Sequence, residues 1–538
     1  MMSLNKEQEK AYKTNENKVL VLAGAGTGKT HTMIARIHRL VSDEHIASNS
    51  ILVLTFTNAA ALEMRTRYEK LVDSKTEPIP QFQTFHAFCY KLISDDFKVR
   101  NEIGYEFVPE IIDEAEYKTI RLNVKTQLNI KLSNSKLDSD GSTLSKVDKR
   151  MYDMYHTKLN SEMKKKNVIT FYLLIDRVCK LFIEQSSLVA KYINKYEYLF
   201  IDEFQDTDPR QWKFAKSFND SKLFVIGDAL QAIYGFRGAD SSIIKELADN
   251  NDWEVIKLHD NYRSTEDIVN YANDVVKHIP DTYKVVLSAN KVGMPVVVSE
   301  CDGFDQFSGY SKSTINCCYE YISNYTGSAA ILVRSNAEVA DVVSKLTEAG
   351  IEVNSDNEFN ELKNILRAAV DVEFELNWLM SILSQEDASN ILRKITVVDD
   401  ELNLDSFLSF SKNSKQHNEL NRMVSLVDTV KGILYSDEYP FVKCNAILDK
   451  FGVKNSTPIP EEDSPEYIVE YLSEFVDTIN VSSLYVGTIH SSKGLEYDTV
   501  VVLGVDGGYF KLNTEEDINL YYVAVTRAKQ NLMILRSR

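Results

Sequence analysis

The chain has 538 residues, 44% apolar and 26% charged, with a formal net charge of −18. That length exceeds what one hydrophobic core usually supports, so several domains are expected. No apolar run nears the roughly 18 to 20 residues that span a bilayer, the charged start MMSLNKEQEK is no secretory signal, and six cysteines without a CxxC pair read as the reduced thiols of a cytoplasmic protein that engages no membrane.

In chain order, the runs VLVLA (19–23), ILVLT (51–55), YLFID (198–202), LFVIG (223–227), AAILV (329–333) and TVVVL (499–503) read as buried strands. Most precede a Gly or polar turn and then a helical pattern, which predicts parallel α/β sheets. The runs fall into two groups divided near residue 258, so two α/β domains are expected. The first comprises about 1–92 and 189–258, and the second about 259–375 and 479–538. The intervening stretches, 93–188 and 376–478, carry few strand signals and are predicted to be mainly helical insertions. The polar segment LSNSKLDSDGSTLSK (132–146) reads as a flexible loop. Asp463-Ser464-Pro465 opens a helix, with Ile468, Val469, Leu472, Phe475, Val476 and Ile479 at helical spacing.

A net charge of −18 argues against a polyanionic partner, but the charge is uneven. Residues 117–166 hold twelve Lys or Arg against five acids, a local +7, whereas 461–477 hold seven acids and no base. A charge run alone is more often a solvated helical face.

The first run leads into Gly24-Ala25-Gly26-Thr27-Gly28-Lys29-Thr30 and then a helical pattern. Glycines there let backbone N–H groups close around phosphate oxygens, and the helix N-terminus adds positive potential. Lys29 would reach the β- and γ-phosphates of ATP, and the Thr30 hydroxyl would ligate Mg²⁺. Ala23 occupies the position of the first glycine in the strict pattern. YLFIDEFQDT supplies the second half of such a site: Asp202 would hold Mg²⁺, and Glu203 would orient or deprotonate the attacking water.

With these motifs, the chain resembles the UvrD/Rep/PcrA helicases of superfamily one. LNKEQEKA (4–11), TFTNAAALEMRTR (55–67), TFHAF (84–88), IDEFQDT (201–207), VIGDALQAIYGFRGAD (225–240), NYRST (261–265), TIHSSKGLEYD (488–498) and YYVAVTRAK (521–529) follow the family's order together with the phosphate loop. The resemblance implies two RecA-like P-loop motor domains and ATP-driven movement on single-stranded DNA or a tailed duplex, with 3′-to-5′ polarity. It implies that Gln8 reads adenine, Tyr262 stacks on it, and Glu496 contacts the nucleotide. Gln231 would sense the γ-phosphate, with Arg263 and Arg527 as arginine fingers. Phe56, Asn58, His86, Tyr234, Phe236, Arg237, Thr488 and His490 match strand-contacting positions.

Four departures stand out. Leu230 replaces the usual Asp beside the coupling Gln, and Phe236 replaces the usual Trp. The second insertion is short. The sequence ends soon after the last motif, where the family's duplex-splitting hairpin normally follows, so unaided strand separation is expected to be weak. Two other readings are a motor subunit serving a partner nuclease or other DNA-processing protein, and a non-motor ATP switch or scaffold. The second predicts damaged catalytic positions, whereas Lys29, Thr30, Asp202, Glu203, Arg263 and Arg527 are all present.

Overall fold

The computed structural model describes residues 4–537 except 73–78, 113, 139–141, 143, 185–186, 281–282, 306–307, 371–396, 399–400, 403–413, 437, 451–463, 479–483 and 508–509. In chain order the strands are β1 (Lys18–Ala23), β2 (Ile51–Thr55), β3 (Gln81–Thr84), β4 (Glu110–Ile112), β5 (Val168–Thr170), β6 (Tyr198–Ile201), β7 (Lys222–Gly227) and β8 (Glu254–Leu258). They continue as β9 (Val297–Cys301), β10 (Ala329–Val333), β11 (Asn354–Ser355), β12 (Val397–Val398), β13 (Glu401–Leu402), β14 (Leu484–Thr488), β15 (Tyr497–Val505) and β16 (Ala528–Ser537).

One compact unit comprises Met1–Ile112, Asn160–Lys345 and Gly487–Arg538. It contains a sheet of order β3-β2-β6-β7-β1-β8 in which every neighbouring pair is parallel. Parallel strands need crossover helices, which cover both faces and leave the central strands without a polar side. Accordingly Val19, Val21, Val53, Phe200 and Ile226 are buried with Met33, Ile34 and Ile37 of the helix Lys29–Ser42. The same unit holds a second parallel array, β10-β15-β16-β9. All six apolar runs are strands of these arrays, so the chain has the α/β class with two RecA-like parallel sheets.

The other unit comprises Asp113–Leu159 and Leu346–Val486. Its described residues are mostly helical and include Glu114–Gln127, Asp356–Ala368, Ser414–Leu434, Pro440–Lys450 and Pro465–Thr478. The Ser464 hydroxyl accepts the Tyr467 N–H at 3.3 Å and caps the last of these, as its sequence predicts. Nearly half of the 376–478 segment lies outside the described residues, Asp463 included, as does Ile479 just beyond it; β12 and β13 form an antiparallel pair within the segment.

One expectation needs correction. The 132–146 segment is not loop throughout: Asn134–Leu137 form a helical turn, and Ser133 accepts the Lys136 N–H. The described residues of 93–188 are mainly helical, as expected, with one parallel strand pair, β4 with β5, of three residues each and too short for a periodic signal.

Candidate functional site

At the end of β1 the chain turns through the glycine-rich loop, with Gly26 at φ 70° and Gly28 at φ 78°, left-handed conformations that favour glycine. The helix Lys29–Ser42 starts immediately after, its first N–H groups lacking carbonyl partners of their own helix. Thr27 Oγ1 donates to Gly24 O at 2.8 Å, and Gln8 Nε2 donates to Thr27 O at 3.0 Å. Gln8 Oε1 accepts the Asn5 N–H at 3.0 Å in a capping box, so this buried amide ties the start of its own helix to the loop.

Asp202 follows β6, and Glu203 sits at φ 48°, ψ 44°. A non-glycine residue in that region is strained, and such strain concentrates at functional sites. Lys29 Nζ lies 3.3 Å from Glu203 Oε2, and Gln205 Nε2 donates to the same oxygen at 2.6 Å. Burial pulls the Lys29 ammonium down, but Glu203, Asp228 and Asp202 outweigh it and its pKa is raised. Burial raises Asp202, with Glu203 adding to the shift; Glu203 is itself lowered, because Lys29 and Lys493 overcome its burial. Asp202 Oδ1 is buried without a hydrogen-bond partner, an arrangement that normally costs 1–3 kcal/mol by order of magnitude and calls for a cation or water.

Residues from the second half of the sequence complete the cleft. Asn261 Nδ2 donates to Ala25 O at 2.7 Å, and the Tyr262 N–H donates to Gly26 O at 2.9 Å, tying the second half to the phosphate loop. The exposed Tyr262 ring is held through its hydroxyl, which accepts from Asn5 Nδ2 at 2.8 Å. Arg263 pairs with Glu496 at 2.6 Å. Arg527 is buried and donates to Val523 O and Leu495 O, both at 3.1 Å, and to Gln231 Oε1 at 3.3 Å. Burial and then Arg263 pull its pKa well below the usual arginine value. Gln231 Nε2 in turn donates to Asp228 Oδ2 at 2.8 Å.

The resulting cleft holds about 590 Å³ and is lined by Ala25 through Thr30, Asp202, Glu203, Gln231, Tyr262, Arg263, Glu496 and Arg527. Gly24 and Gln8 stand behind it: a Cβ on Gly24 would meet Leu287 at 2.4 Å. Leu230, the departure beside Gln231, is fully buried. Two arginines, a lysine and the glycine-rich loop that line the cleft suit a polyphosphate, and the orphan Asp202 oxygen suits a hard cation. Among the described residues no group of three His, Cys, Asp or Glu side chains could hold a metal by itself; a magnesium ion bound partly by substrate phosphates needs no such group.

A second cluster is aromatic. Phe56 and Tyr234 stack with centroids 5.4 Å apart at 14°. Phe236, two-thirds exposed, packs edge-on against Tyr234 at 6.1 Å and His490 at 5.5 Å. Thr488 accepts the Ser491 N–H at 3.2 Å and shapes the turn that carries His490. His86 instead packs edge-on against Phe171 at 5.0 Å, and burial lowers its pKa, which favours the neutral ring. Asn58 opens the helix Asn58–Glu69 and Arg237 lies in the turn Gly235–Arg237; their side chains lie outside the described residues. Gln205, Asp206, Phe171 and Lys493 were assigned no role from sequence, although all but Phe171 lie within quoted motifs.

The family comparisons agree with this geometry. Residues 4–252 match the UvrD/REP helicase N-terminal domain, and 256–369 with 385–538 match the UvrD-like helicase C-terminal domain. The chain belongs to the UvrD/Rep helicase family. Relatives of this UvrD/Rep member include a Mycoplasma genitalium protein named "Probable DNA helicase II homolog", 26% identical over 99% of the chain and 84% of the relative. The ATP-dependent DNA helicase PcrA of Staphylococcus epidermidis is 26% identical over 99% of the chain and 83% of the relative. PcrA of Bacillus subtilis is 25% identical over 100% of the chain and 83% of the relative. Among the described residues no helix is long and apolar enough to cross a membrane.

Proposed function

We propose that this UvrD/Rep family member hydrolyses Mg·ATP in the Lys29–Arg527 cleft and couples hydrolysis to 3′-to-5′ movement along single-stranded DNA. The observation that carries the reading is the convergence of Lys29, Asp202, Glu203, Gln231, Arg263 and Arg527 on one cleft. The relatives' names support ATP-dependent helicase activity, and the polarity rests on the family resemblance.

In this reading the phosphates take Lys29 away from Glu203, freeing the carboxylate to orient the attacking water. Gln205 keeps that carboxylate aimed. Thr30 and Asp202 would hold Mg²⁺, which when bound neutralises charge on the phosphates. Arg263 and Arg527 approach the transferred group and stabilise charge that grows in the transition state. Tyr262 offers an exposed face to the adenine, while Gln8 acts through the loop it braces. Phe56, Tyr234, Phe236 and His490 form a stacking surface that accepts any base. The proposed organisation is two motor domains divided near residue 258, each with an insertion.

The test is steady-state ATP hydrolysis with no nucleic acid, with oligo-dT, with blunt duplex and with RNA. A rate that rises with oligo-dT and not with blunt duplex is the expected result. Equal rates under all four conditions would sink the proposal.

A further inference from the structure

Lys493 is a buried cation, its side chain 8% exposed, and its carboxylate partner Asp206 is 2% exposed. A desolvated ion pair is stable only when good geometry and further hydrogen bonds satisfy both charges. Lys493 Nζ lies 2.5 Å from Asp206 Oδ2, donates to Gln231 O at 2.8 Å, and sits 4.7 Å from the Tyr234 ring centroid. These three contacts reach three working parts. Asp206 closes the turn that begins at Glu203. The Gln231 side chain bridges Asp228 and Arg527. Tyr234 stacks on Phe56. Lys493 itself precedes Gly494 and Glu496, which border the cleft.

We infer that Lys493 is a positioning residue that carries occupancy of the Tyr234 aromatic face to the Gln231–Arg527 pair, so that strand binding and ATP hydrolysis are coupled through its ammonium group. The inference rests on the ATP-and-strand reading above. Its physical content is short: a base that shifts the Tyr234 ring shifts the cation held over it. The same cation holds the backbone carbonyl of Gln231, whose side-chain amide oxygen accepts from Arg527. No contact with nucleotide is required of Lys493. A bare staple between the two halves of the chain would behave differently. Its loss would lower stability, or lower basal and stimulated turnover in the same proportion, without changing their ratio.

The experiment measures basal and oligo-dT-stimulated turnover, the KM for ATP, the Kd for oligo-dT and the melting temperature. It compares wild type, Lys493→Met, Lys493→Arg, Asp206→Asn and the double variant Lys493→Met/Asp206→Asn. In Lys493→Met the stimulated-to-basal ratio should fall about tenfold, a typical coupling magnitude, with KM and Kd within about threefold of wild type. Lys493→Arg should recover part of the ratio. The double variant removes both buried charges and should match the single variants rather than compound them, because the pair acts as a unit. It also decides the matter if Lys493→Met leaves Asp206 too costly to fold. A wild-type protein without stimulation would defeat the ATP-and-strand reading and this role together. A stimulated wild type with an unchanged ratio in Lys493→Met, or in the double variant, would overturn the coupling role alone.

Discussion

Arg527 shows how much of the site is set by single residues. Its guanidinium is desolvated and sits near a second guanidinium, which together depress its pKa. The fixed carbonyls of Val523 and Leu495 hold it in place. A cation so placed interacts most strongly with charge that appears only as the reaction proceeds. Arg527→Ala should therefore lower turnover by about 10³-fold and leave the Kd for ATP within about threefold. Lys29→Ala should damage both, since in the proposed reading Lys29 meets the phosphates in the ground state. Single-turnover hydrolysis with equilibrium binding of a fluorescent ATP analogue separates the two patterns, and a collapse of affinity in Arg527→Ala would make it a ground-state binder instead. The placing of Lys29, Asp202 and Glu203 in one cleft was legible because each follows an apolar strand run, and Lys29 also a glycine turn that opens a helix. The Lys493–Asp206 pair was not, because its partners lie 287 positions apart and nothing local marks either as buried.

At the scale of elements, legibility followed burial. Strands β1, β2, β6, β7, β10 and β15 are buried for nearly their whole length and read as apolar runs. Strand β3, sequence QFQT, is only half-buried at a sheet edge, and β9 is exposed over four of its five residues. Edge strands need no apolar run, so their sequences carry little signal. The helix start read from Ser464-Pro465 has its cap, whereas the cap at Asp96 went unread. Asp96 caps Phe97–Glu102, with Oδ1 accepting from the Lys98 N–H at 3.0 Å and the Val99 N–H at 3.4 Å. Its Oδ2 accepts from Tyr192 Oη at 3.0 Å and pairs with Lys191 Nζ at 2.7 Å. Burial pushes its pKa up, but these donors outweigh burial and hold it down at about 2. A carboxylate with a depressed folded pKa stabilises the fold above its ordinary value of 3.8 and loses that contribution as pH falls toward 2. Asp96→Ala should cost about 1–2 kcal/mol at pH 7, measured as a shift in urea midpoint, and the difference should narrow between pH 4 and pH 2. A difference that grows on acidification would show that the cap does not act as a carboxylate.

For the whole molecule, the question is how a chain of net charge −18 holds another polyanion. Overall charge repels nucleic acid at long range, but screening confines that repulsion to about 10 Å at 0.1 M salt. Binding then depends on local groups: cations that meet phosphates and rings that meet bases. The basic excess of residues 117–166 lies largely on the helices Glu114–Gln127 and Lys146–Lys166, away in sequence from the Phe56, Tyr234 and Phe236 cluster. Sequence reading alone does not separate these aromatics by role, since a phenylalanine in a core and one on a stacking surface look alike until exposure is known. Phe236 is 66% exposed, so its ring is not core packing and can meet a base in the proposed reading. The two kinds of contact respond differently to salt. Each phosphate contact on a single strand contributes roughly −0.7 to the slope of log K against log salt, whereas stacking contributes about nothing to it. Phe236→Ala should therefore weaken oligo-dT affinity by about 1–3 kcal/mol at every salt concentration and leave the slope unchanged. Fluorescence anisotropy from 50 to 300 mM salt, repeated with oligo-dA and a mixed sequence of equal length, reads both quantities. A slope that flattens in Phe236→Ala would mean that the ring positions a phosphate-binding cation. A large preference for one sequence would mean that hydrogen bonds to base edges, not ring faces, hold the strand.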